Sequence, residues 1–292
     1  MSTFKIGFVI LHYMNIDVTI ECVNSIKQNV GEESYKIIII DNNSPNKSGE
    51  SLKKEYRSDK KVDIYLNTIN DGFARGNNIG YSMLRKECDY ICILNNDVEL
   101  IQSEFYKSVE AVYQMKKFGI MGPRIKMLDG SICRLMPQLG TYREERKKYI
   151  KKELRYIVAL LGLNRIREIV VSNKVKLAND NNNIQEECNN IILHGCCLIY
   201  SKDYIENNEW AFDPRTDFYG EEALLYLHVM KQKLSTLYSP TLTILHKESV
   251  ATKTSKSTYK KTIFQLGNTA KSQRILLKEL RSNMRGISYE GE

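Results

Sequence analysis

The sequence predicts an α/β protein built on a largely parallel sheet, and three observations support this assignment. The first 127 residues alternate between short apolar runs and amphipathic segments, as strands and helices do in a doubly wound sheet. The apolar runs end in polar residues, which are expected at the carboxyl edge where such folds bind ligands. The chain has 292 residues, of which 42% are hydrophobic, so it can form a globular core and is not disordered throughout.

The first half of the chain supplies four predicted strands and four predicted helices in alternation. The strands are predicted at Ile6 to Leu11, Lys36 to Asp41, Val62 to Leu66 and Tyr90 to Leu94. The helices are predicted at Val18 to Ile26, from after the polar cluster Asn42 to Ser48 through about Arg57, at Gly72 to Lys86 and at Ser103 to Lys117. Because parallel strands point the same way, the polar residues that follow all four strands should meet at one edge.

The second half is less regular. A basic helix-like stretch, Tyr142 to Arg167, precedes an asparagine-rich segment, Asn179 to Asn183, that is typical of a mobile loop. Regular structure is then predicted at Asn190 to Tyr200, Glu221 to Lys233, Leu237 to Leu245 and, as a long basic helix, Tyr259 to Leu280. No internal repeat and no glycine- or proline-rich linker interrupts the chain, which favours one compact domain with a helical tail.

The net charge of +8 is concentrated in two segments. Residues 143–176 contain 11 Lys and Arg against 4 Glu, and residues 253–285 contain 9 against 1. These stretches could contact nucleic acid, anionic lipid or a polyanionic substrate, or they could be ordinary solvated helix faces. They lack clustered aromatic residues and any helix-turn-helix or zinc-finger spacing, which argues against nucleic acid as a partner.

The chain is expected to work in the cytoplasm. It has no run of 18 apolar residues, and residues 1–11 lack the basic start and long apolar stretch of a signal peptide. Its seven cysteines form no Cys-x-x-Cys pair, and an odd number in an unsecreted chain argues against a disulfide framework. They are expected to be buried apolar residues.

The segment Tyr90 to Asp97, with the sequence Tyr-Ile-Cys-Ile-Leu-Asn-Asn-Asp, is the most informative in the chain. A buried strand here would deliver Asp97 to the ligand-binding edge, where its carboxylate could hold a metal ion or help to bind phosphate. Alternatively, Asn95 and Asn96 form a simple turn and Asp97 caps a following helix. The segment alone does not decide between these interpretations.

Two further polar segments follow predicted strands. Asp41 could accept a hydrogen bond from a nucleobase, and the amides of Asn42 and Asn43 could reach a ribose, although such residues also form ordinary turns. The segment from 70 to 78 opens a helix with two glycines and Arg75, a composition suited to an anionic group at a helix N-terminus. It has neither the Walker spacing nor the three-glycine dinucleotide spacing.

The second half contributes two more groups with chemical potential. Glu221 and Glu222 are adjacent in a turn that enters an apolar helix, where the helix dipole alone favours acidic residues. Two neighbouring carboxylates can also raise one pKa, which suits a general base. His246 ends a strand-like run and is interpreted either as a metal ligand or as a hydrogen-bonded core histidine.

The segments around Asp41, Arg75, Asp97 and Glu222 follow one another along the chain in an order that resembles the family 2 glycosyltransferases of bacterial polysaccharide synthesis, especially their rhamnosyltransferase-like branch. The resemblance spans most of residues 4–250 and rests on Asp-Asn-Asn-Ser, Asn-Asp-Gly-Phe-Ala-Arg-Gly-Asn-Asn, Leu-Asn-Asn-Asp and Tyr-Gly-Glu-Glu. It implies a GT-A fold, with a Rossmann-like nucleotide-binding half and a mixed central sheet. Residues 1–127 would form the nucleotide-sugar half, residues 128–250 the acceptor half with a basic helical insertion at about 142–176, and residues 251–292 a basic C-terminal helical extension.

The resemblance also implies a set of donor-binding residues. Asp41 would contact the nucleobase, and the backbone of Leu11 and His12 would line the same pocket. The other residues assigned to donor binding are Asn43, Arg75, Asn77, Asn96 and Asp97. The donor would be a nucleoside-diphosphate sugar linked to UDP or dTDP.

The resemblance places a divalent cation, Mn or Mg, beside Asp97. Asn95-Asn96-Asp97 stands where the family has an Asp-x-Asp motif and keeps only the last carboxylate. His246 matches the family's C-terminal histidine and would be a second ligand, with water and diphosphate oxygens completing the shell. The alternative is weak metal dependence, with Arg75 or a residue of the basic tail supplying positive charge.

For the reaction, the resemblance implies transfer with inversion to a hydroxyl of a glycan or a lipid-diphosphate-linked glycan. Glu222 takes the position of the general base and Glu221 that of its partner, while Gly195, Cys196 and Tyr219 lie on the acceptor side. The basic stretch from 142 to 167 would bring the enzyme to an anionic surface at the inner membrane face. A nucleotidyltransferase of similar fold and a non-catalytic paralogue that binds nucleotide sugar are the competing functions.

Overall fold

The computed structural model of the chain describes residues 3–162, 186–247 and 258–287. The strands in these ranges are β1 (Phe4–His12), β2 (Tyr35–Asp41), β3 (Val62–Leu66), β4 (Cys88–Asn95), β5 (Val98–Leu100), β6 (Ile120–Met127), β7 (Cys188–Asn189), β8 (Cys197–Tyr200) and β9 (Thr236–His246). The helices are α1 (Ile16–Asn29), α2 (Ser48–Glu55), α3 (Gly72–Leu84), α4 (Phe105–Met115), α5 (Tyr142–Leu160), α6 (Lys202–Asn207), α7 (Glu221–Lys231) and α8 (Thr258–Ile287). The predicted loop at Asn179 to Asn183 and the end of the predicted basic helix lie outside the described residues.

All nine strands belong to one mixed sheet. Its order is β3-β2-β1-β4-β8-β6-β9-β5, and β7 pairs with β9. Strands β3, β2, β1 and β4 are parallel, whereas β8 is antiparallel to both β4 and β6. The predicted α/β class, with a mixed central sheet and a C-terminal helix, is therefore confirmed, and the doubly wound parallel arrangement holds for the first four strands.

Strand β2 is covered by helices on both of its faces, and its apolar run Ile37 to Ile40 explains why. Ile37 and Ile39 pack with Phe8 and Val23 on the face covered by α1. Ile38 and Ile40 belong to the second core, with residues of α3 such as Tyr81. A strand that is apolar at every position requires cover on both faces, and the helices that connect parallel strands provide it.

Helices α5 and α8 pack against each other beside the sheet. Glu145 of α5 is 3% exposed and accepts a hydrogen bond from Gln273 of α8 at 2.7 Å. Leu276 of α8 also packs with Leu224 and Leu227 of α7. The predicted basic insertion and the predicted basic tail thus meet through a buried polar contact. Among the described residues, no helix has both the length and the apolar character needed to cross a bilayer.

The cysteines are free thiols, as the sequence predicted. Five of them are buried, namely Cys22, Cys88, Cys92, Cys196 and Cys197. The expectation of burial is wrong for Cys133 and Cys188, which are partly exposed. Cys188 lies on the two-residue strand β7, and Cys133 follows the end of β6, so neither reaches the sheet interior.

Candidate active site

The carboxyl ends of three parallel strands lie side by side. In the register of β1 and β2, His12 is opposite Asp41. In the register of β1 and β4, Leu11 is opposite Asn95. The peptide N–H of Asn95 donates to the carbonyl of Cys196 at 2.9 Å, so the segment before β8 continues this edge. The edge predicted from the strand ends is therefore formed.

Asp41 is held at this edge by groups from the turn after β2. Its carboxylate accepts a hydrogen bond from the hydroxyl of Ser44 at 2.5 Å and one from the peptide N–H of Ser44 at 3.3 Å. Gly49, at the start of α2, packs directly on the carboxyl group and leaves no room for a Cβ atom. Asn43, in the same turn, has a left-handed backbone with φ of 59° and an exposed side chain.

His12 does not present its side chain to this edge. The imidazole is fully buried and hydrogen-bonds to the hydroxyls of Thr19 at 2.7 Å and Ser48 at 2.8 Å. Burial lowers the pKa of His12 to about 4, although the nearby carboxylate of Asp41 acts in the opposite direction. The ring is therefore neutral and fixes α1 and α2 to the end of β1, and only its backbone remains available to line a pocket.

Asp97 and His246 form the pair that the resemblance placed together. The Nε2 atom of His246 lies 3.2 Å from Oδ1 of Asp97, and both side chains are about nine-tenths buried. The ring of His194 lies 6.0 Å from that of His246, centroid to centroid. Asp97 is followed by strand β5 rather than by a helix, so the helix-cap alternative is wrong.

A carboxylate and an imidazole are suitable ligands for Mn, whereas Mg prefers oxygen alone. In the ranges 3–162, 186–247 and 258–287, no cluster of three or more His, Cys, Asp or Glu side chains could hold a metal ion. The pair fits a cation that takes its remaining ligands from water and a diphosphate. Asn96 stands beside this pair, and its amide donates to the hydroxyl of Thr19 at 3.1 Å.

The two acidic residues Glu221 and Glu222 begin α7 after an unusual turn. Tyr219 and Gly220 both have left-handed backbones, with φ of 66° and 93°. A left-handed tyrosine is uncommon, and such residues are found where the surrounding structure fixes them. Tyr219 is 40% exposed. After this turn, the adjacent carboxylates of Glu221 and Glu222 lie in different surroundings.

Glu221 is 2% exposed, and one of its carboxylate oxygens, Oε1, is buried and has no hydrogen-bond partner within the described part of the chain. Burial, followed by the charge of Glu222, raises the pKa of Glu221 to about 8. Glu222 keeps partial exposure. Burial also raises the pKa of Glu222, while the backbone N–H groups of Glu222, Gly195 and Gly220 act against that rise. A base with a raised pKa and some access to substrate matches the predicted role of Glu222.

Gly195 allows the segment before β8 to contact Glu222. A Cβ atom on Gly195 would lie 2.8 Å from Oε1 of Glu222, so any larger residue would displace the carboxylate. The neighbouring Cys196 is 1% exposed, and burial raises the pKa of its thiol well above the ordinary value. Cys196 can contribute only its backbone to the acceptor side, because its side chain belongs to the core.

The start of α3 differs from the expected anion site. The peptide N–H of Gly72 donates to Asn70 at 3.0 Å, and that of Phe73 donates to the carbonyl of Asp217 at 2.7 Å. These first helical N–H groups are therefore engaged by the protein itself, and the expectation that they hold an anion is wrong. Asn77 is fully buried, and its amide donates to the carbonyl of Phe73 at 3.0 Å, so its side chain is not brought to the edge.

Arg75 is held by protein carboxylates. Its Nη1 atom donates to Oδ1 of Asp217 at 2.8 Å, and its Nε atom lies 3.6 Å from Asp71. Lys271 of α8 forms an ion pair with the other oxygen of Asp217. Burial alone would raise the pKa of Asp217, but the bonds from Lys271 and Arg75 hold it below the usual range. Two cations from distant parts of the chain therefore share one carboxylate.

Several residues position the site in ways that the sequence does not predict, and the amide of Asn42, expected to reach a ribose, is engaged by the protein instead. Asn42 is 3% exposed, and its amide donates to the carbonyl of Gly72 and to Asn70, both at 3.0 Å. Ser44 and Gly49 fix Asp41, and Lys271 reaches Asp217 from a helix 54 residues away. The polar turn after β2 indicated that Asn42 and Ser44 lie near a site. No pattern in the basic helix indicated that Lys271 contacts Asp217.

Comparison with known proteins identifies the family of this site. Residues 8–208, more than two thirds of the chain, match the description "Glycosyl transferase family 2". The chain belongs to glycosyltransferase family 2. The matched range includes the ends of β1, β2 and β4 and the segment before β8, while Glu222 and His246 lie beyond it. No curated protein matches the sequence.

Three solved glycosyltransferase structures of low sequence identity share the architecture. GalNAc-T7 with UDP, GalNAc and Mn²⁺ superposes with a TM-score of 0.57 at 13% identity, covering 84% of this chain and 44% of that one. S. aureus TarS 1-349 gives 0.51 at 12%, covering 83% and 60%. TarS 1-349 in complex with UDP gives 0.53 at 12%, covering 90% and 64%. The chain thus spans about half to two thirds of the length of these structures.

The family match confirms the predicted family, and the structural likeness agrees with the predicted GT-A fold. They do not extend to the rhamnosyltransferase-like branch, which stays a prediction. The domain boundaries and the individual roles of the site residues also stay predictions, with the geometry described above as their support.

Proposed function

We propose that this glycosyltransferase moves a sugar, with inversion, from a UDP- or dTDP-linked donor to a hydroxyl of a glycan or lipid-diphosphate-linked glycan. A hexose or deoxyhexose is the expected donor sugar, and cell-surface polysaccharide such as capsule is the expected product. Glu222 is the general base, and a divalent cation is bound at Asp97 and His246.

The contact between Gly195 and Glu222 is the observation that carries the proposal. It joins the acidic turn to the segment before β8, whose carbonyl at Cys196 accepts from the N–H of Asn95. Asn95 precedes Asp97 by two residues and lies opposite Leu11 on β1. The next residue of β1, His12, lies opposite Asp41 on β2. A continuous set of contacts therefore links the proposed base to the proposed cation site and nucleotide pocket.

On the donor side, Asp41 accepts an N–H of the nucleobase, and the exposed amide of Asn43, two residues further on, would contact the ribose. Asp97 and His246 would hold the cation, which supplies positive charge to the donor diphosphate when bound. Arg75 and Lys271 add fixed positive charge at the neighbouring turn, each already paired with Asp217.

On the acceptor side, Glu222 removes the proton of the attacking hydroxyl. The oxygen then forms a bond to the anomeric carbon as the bond from that carbon to the diphosphate oxygen breaks, and the nucleoside diphosphate leaves with the electron pair. Glu221 is largely protonated near neutral pH, since its pKa is about 8, so it does not place a second full charge beside the base.

Attachment to an anionic membrane surface at the inner membrane face is part of the proposal. Ile150, Leu154, Ile157 and Leu161 of the α5 segment recur at helical spacing and are 49–67% exposed. Exposed basic residues, Arg143, Arg146, Lys147 and Lys151, adjoin them on the same helix. An apolar stripe bordered by cations is typical of a helix that lies in a membrane interface.

The substitution Glu222→Gln tests the catalytic role. Release of nucleoside diphosphate from a panel of UDP- and dTDP-sugars should fall at least a hundredfold, while UDP binding measured by calorimetry should stay within about twofold. Glu110→Gln, on α4, is the matched control and should keep full turnover. Normal turnover by Glu222→Gln would remove this residue from the mechanism.

The same assays separate the competing functions. Donor binding by the unsubstituted protein without any turnover would indicate a non-catalytic paralogue. Release of pyrophosphate from a nucleoside triphosphate and a sugar phosphate would indicate a nucleotidyltransferase.

A further inference from the structure

A cavity of about 470 Å³ lies between helix α7 and the loop formed by residues 207–216. This volume falls within the range of small-molecule sites, roughly 300–1,000 Å³. Its wall is mainly apolar and includes Phe212, Leu224 and Leu225. None of the residues assigned above to the donor, the cation or the base lines it, so it is distinct from the nucleotide pocket.

Trp210, the single tryptophan of the chain, lines this cavity and is 54% exposed. Its backbone is fixed, because its carbonyl accepts from the hydroxyl of Tyr204 at 3.1 Å. The next two residues donate their N–H groups to Oδ1 of Asn78 on α3, at 3.0 and 2.9 Å. Hydrogen bonds thus fix the loop that carries the indole ring, while about half of the Trp210 surface faces water. An aromatic ring on a fixed backbone is suited to stacking against a ligand.

The charged side chains at the cavity are mostly paired with each other. Arg215 donates to Asp213 at 2.5 Å and to Glu279 of α8 at 2.8 Å. The other ionisable groups that line the cavity are Glu209, His228 and the buried Tyr204. Burial lowers the pKa of His228, so no excess of positive charge is available. These surroundings disfavour a phosphate or an anionic lipid headgroup and suit an uncharged ligand.

The polar groups of the cavity are amides and an imidazole. Asn208 and Gln232 form a reciprocal pair, with N-to-O distances of 2.9 and 2.6 Å. The Nε2 atom of His228 lies 2.6 Å from Oδ1 of Asn208. Asn208 is 5% exposed, and its amide is fully engaged by Gln232, His228 and the carbonyl of Tyr204. Gln232 and His228 are less buried and are the groups that ligand hydroxyls can reach, as donors or as acceptors. A pyranose ring, with C–H groups on its face and hydroxyls at its rim, matches an aromatic platform bordered by these two side chains.

The cavity lies farther along the helix that begins with the acidic pair. Leu225, His228 and Gln232 follow Glu222, the proposed base, by 3, 6 and 10 residues along α7 and its extension. At 1.5 Å per residue, these positions lie about 4.5 to 15 Å beyond Glu222 along the helix axis. A chain of sugars whose terminal hydroxyl lay at the acidic pair would be long enough to reach the cavity with a more distant unit.

We propose that this cavity binds an uncharged sugar unit of the acceptor glycan, remote from the reacting hydroxyl, with the pyranose ring stacked on Trp210. The site therefore selects acceptors that are already extended. This inference rests on the proposed function for its link to an acceptor, but binding at the cavity does not itself require nucleotide or turnover.

Because Trp210 is the only tryptophan, its fluorescence reports directly on the cavity. Neutral oligosaccharides of two to four units, built from glucose, galactose, rhamnose or N-acetylglucosamine, are titrated against the full chain, with the corresponding monosaccharides alongside. We expect a saturable blue shift with at least one oligosaccharide, at least tenfold tighter than with its monosaccharide. No saturable change with any oligosaccharide, or an equal response to lactate and inorganic phosphate, overturns the proposal.

Saturation-transfer NMR of the same oligosaccharide then locates the site. Trp210→Ala should lose at least nine-tenths of the signal, and Met115→Ala, which removes another exposed side chain on α4, should keep it. Trp210→Phe should retain binding, which excludes loss of folding as the cause. Undiminished signal in Trp210→Ala contradicts the proposal.

The two hypotheses fail in different ways. If saccharide binding depends on Trp210 but the protein neither binds nor turns over sugar nucleotides, the inferred saccharide site is supported and the proposed function is wrong. If the protein turns over a sugar nucleotide but binds no saccharide at Trp210, the proposed function is supported and the inferred saccharide site is wrong.

Discussion

Arg75 and Asp217 form an ion pair, with Nη1 2.8 Å from Oδ1, that joins the first turn of α3 to the turn before α7. The peptide contact between Phe73 and the carbonyl of Asp217 lies beside it. Lys271 of α8 pairs with the second carboxylate oxygen. Asp217 therefore connects the nucleotide half, the acidic turn and the C-terminal helix at one point.

Replacing Asp217 should affect substrate use more than stability. In Asp217→Asn both cations lose their charged partner, and the pairs are partly exposed, so the free energy of unfolding should fall by only about 1 kcal/mol. We expect at least a tenfold loss in kcat/KM for the sugar nucleotide, because Arg75 and the acidic turn lose their common support. Steady-state kinetics and urea unfolding measure the two effects.

Asp89→Asn is the matched control. Asp89 pairs with Lys5 at 3.2 Å and has similar exposure, and it lies near the start of β4, at the opposite end of that strand from Asp97. Its loss should leave kinetics unchanged. Equal kinetic losses in the two variants would show that Asp217 has no particular link to the site.

Gly195→Ala should impair transfer while sparing nucleotide binding. The added methyl group would lie 2.8 Å from Oε1 of Glu222 and would displace the carboxylate from its N–H donors. We expect kcat to fall at least tenfold with UDP affinity within about twofold. Gly119→Ala is similarly crowded, at 2.9 Å from the Cβ atom of Leu234, but is remote from the site and should affect stability alone. A normal kcat in Gly195→Ala would contradict the assigned contact.

The strand ends could be predicted because their signal is local. An apolar run such as Ile37 to Ile40 requires a strand covered on both faces, and the polar residues after it must then lie at the carboxyl edge. The same pattern predicts Asp41 and Asp97 at one edge of the sheet. It could not find β5, which has three residues, or the placement of β8 between β4 and β6.

The roles of side chains were less predictable, since they depend on contacts between distant segments. Asn77 and Arg75 are two residues apart, yet one is fully buried and the other is 41% exposed at its side chain and paired with Asp217. The glycines of α3 were read as approach points for an anion, whereas Gly72 accommodates the carbonyl of Asp217 and Gly76 accommodates Leu11. Sequence spacing places these residues on one helix but does not specify the partner that each will meet.

Glu221 should make the protein less stable as the pH rises. Its pKa is about 8 in the folded chain against an ordinary value of 4.5, so between these values the folded state binds more protons than the unfolded state. Stability from this group is complete below about pH 4.5 and is lost as pH rises through about 8. Glu221→Gln should remove this dependence and raise Tm more at about pH 9 than at about pH 5. Parallel Tm curves for the two proteins would contradict the buried, protonated carboxyl.

Asp97→Ala should remove the response to manganese. If Asp97 and His246 hold the cation, the stabilisation of the UDP complex by Mn²⁺, seen as a rise in Tm, should disappear together with transfer. Binding of UDP without metal should change little. Asp63→Ala, on strand β3 at the far edge of the sheet, is the control. If Mn-dependent binding and transfer both survive in Asp97→Ala, the weak-metal alternative with Arg75 and Lys271 replaces the proposed site.

The exposed stripe of α5 should bind anionic lipid through its apolar residues. Lys148 and Lys152 face α8, through Glu145 and Gln273, and are unsuitable as membrane contacts. The useful substitutions are therefore on the other face, where Leu154 is 60% exposed. Leu154→Glu should reduce sedimentation with phosphatidylglycerol vesicles at least fivefold, because it places a charge in the apolar stripe and near an anionic surface.

The basic border of the stripe should act through charge alone. Lys147→Gln with Lys151→Gln should weaken binding at low salt and have little effect at high salt, since exposed charges are screened. Met115→Glu, at an exposed position of α4 that is 76% accessible, is the matched control and should bind vesicles normally. Unchanged vesicle sedimentation of Leu154→Glu would assign the stripe to something other than a membrane.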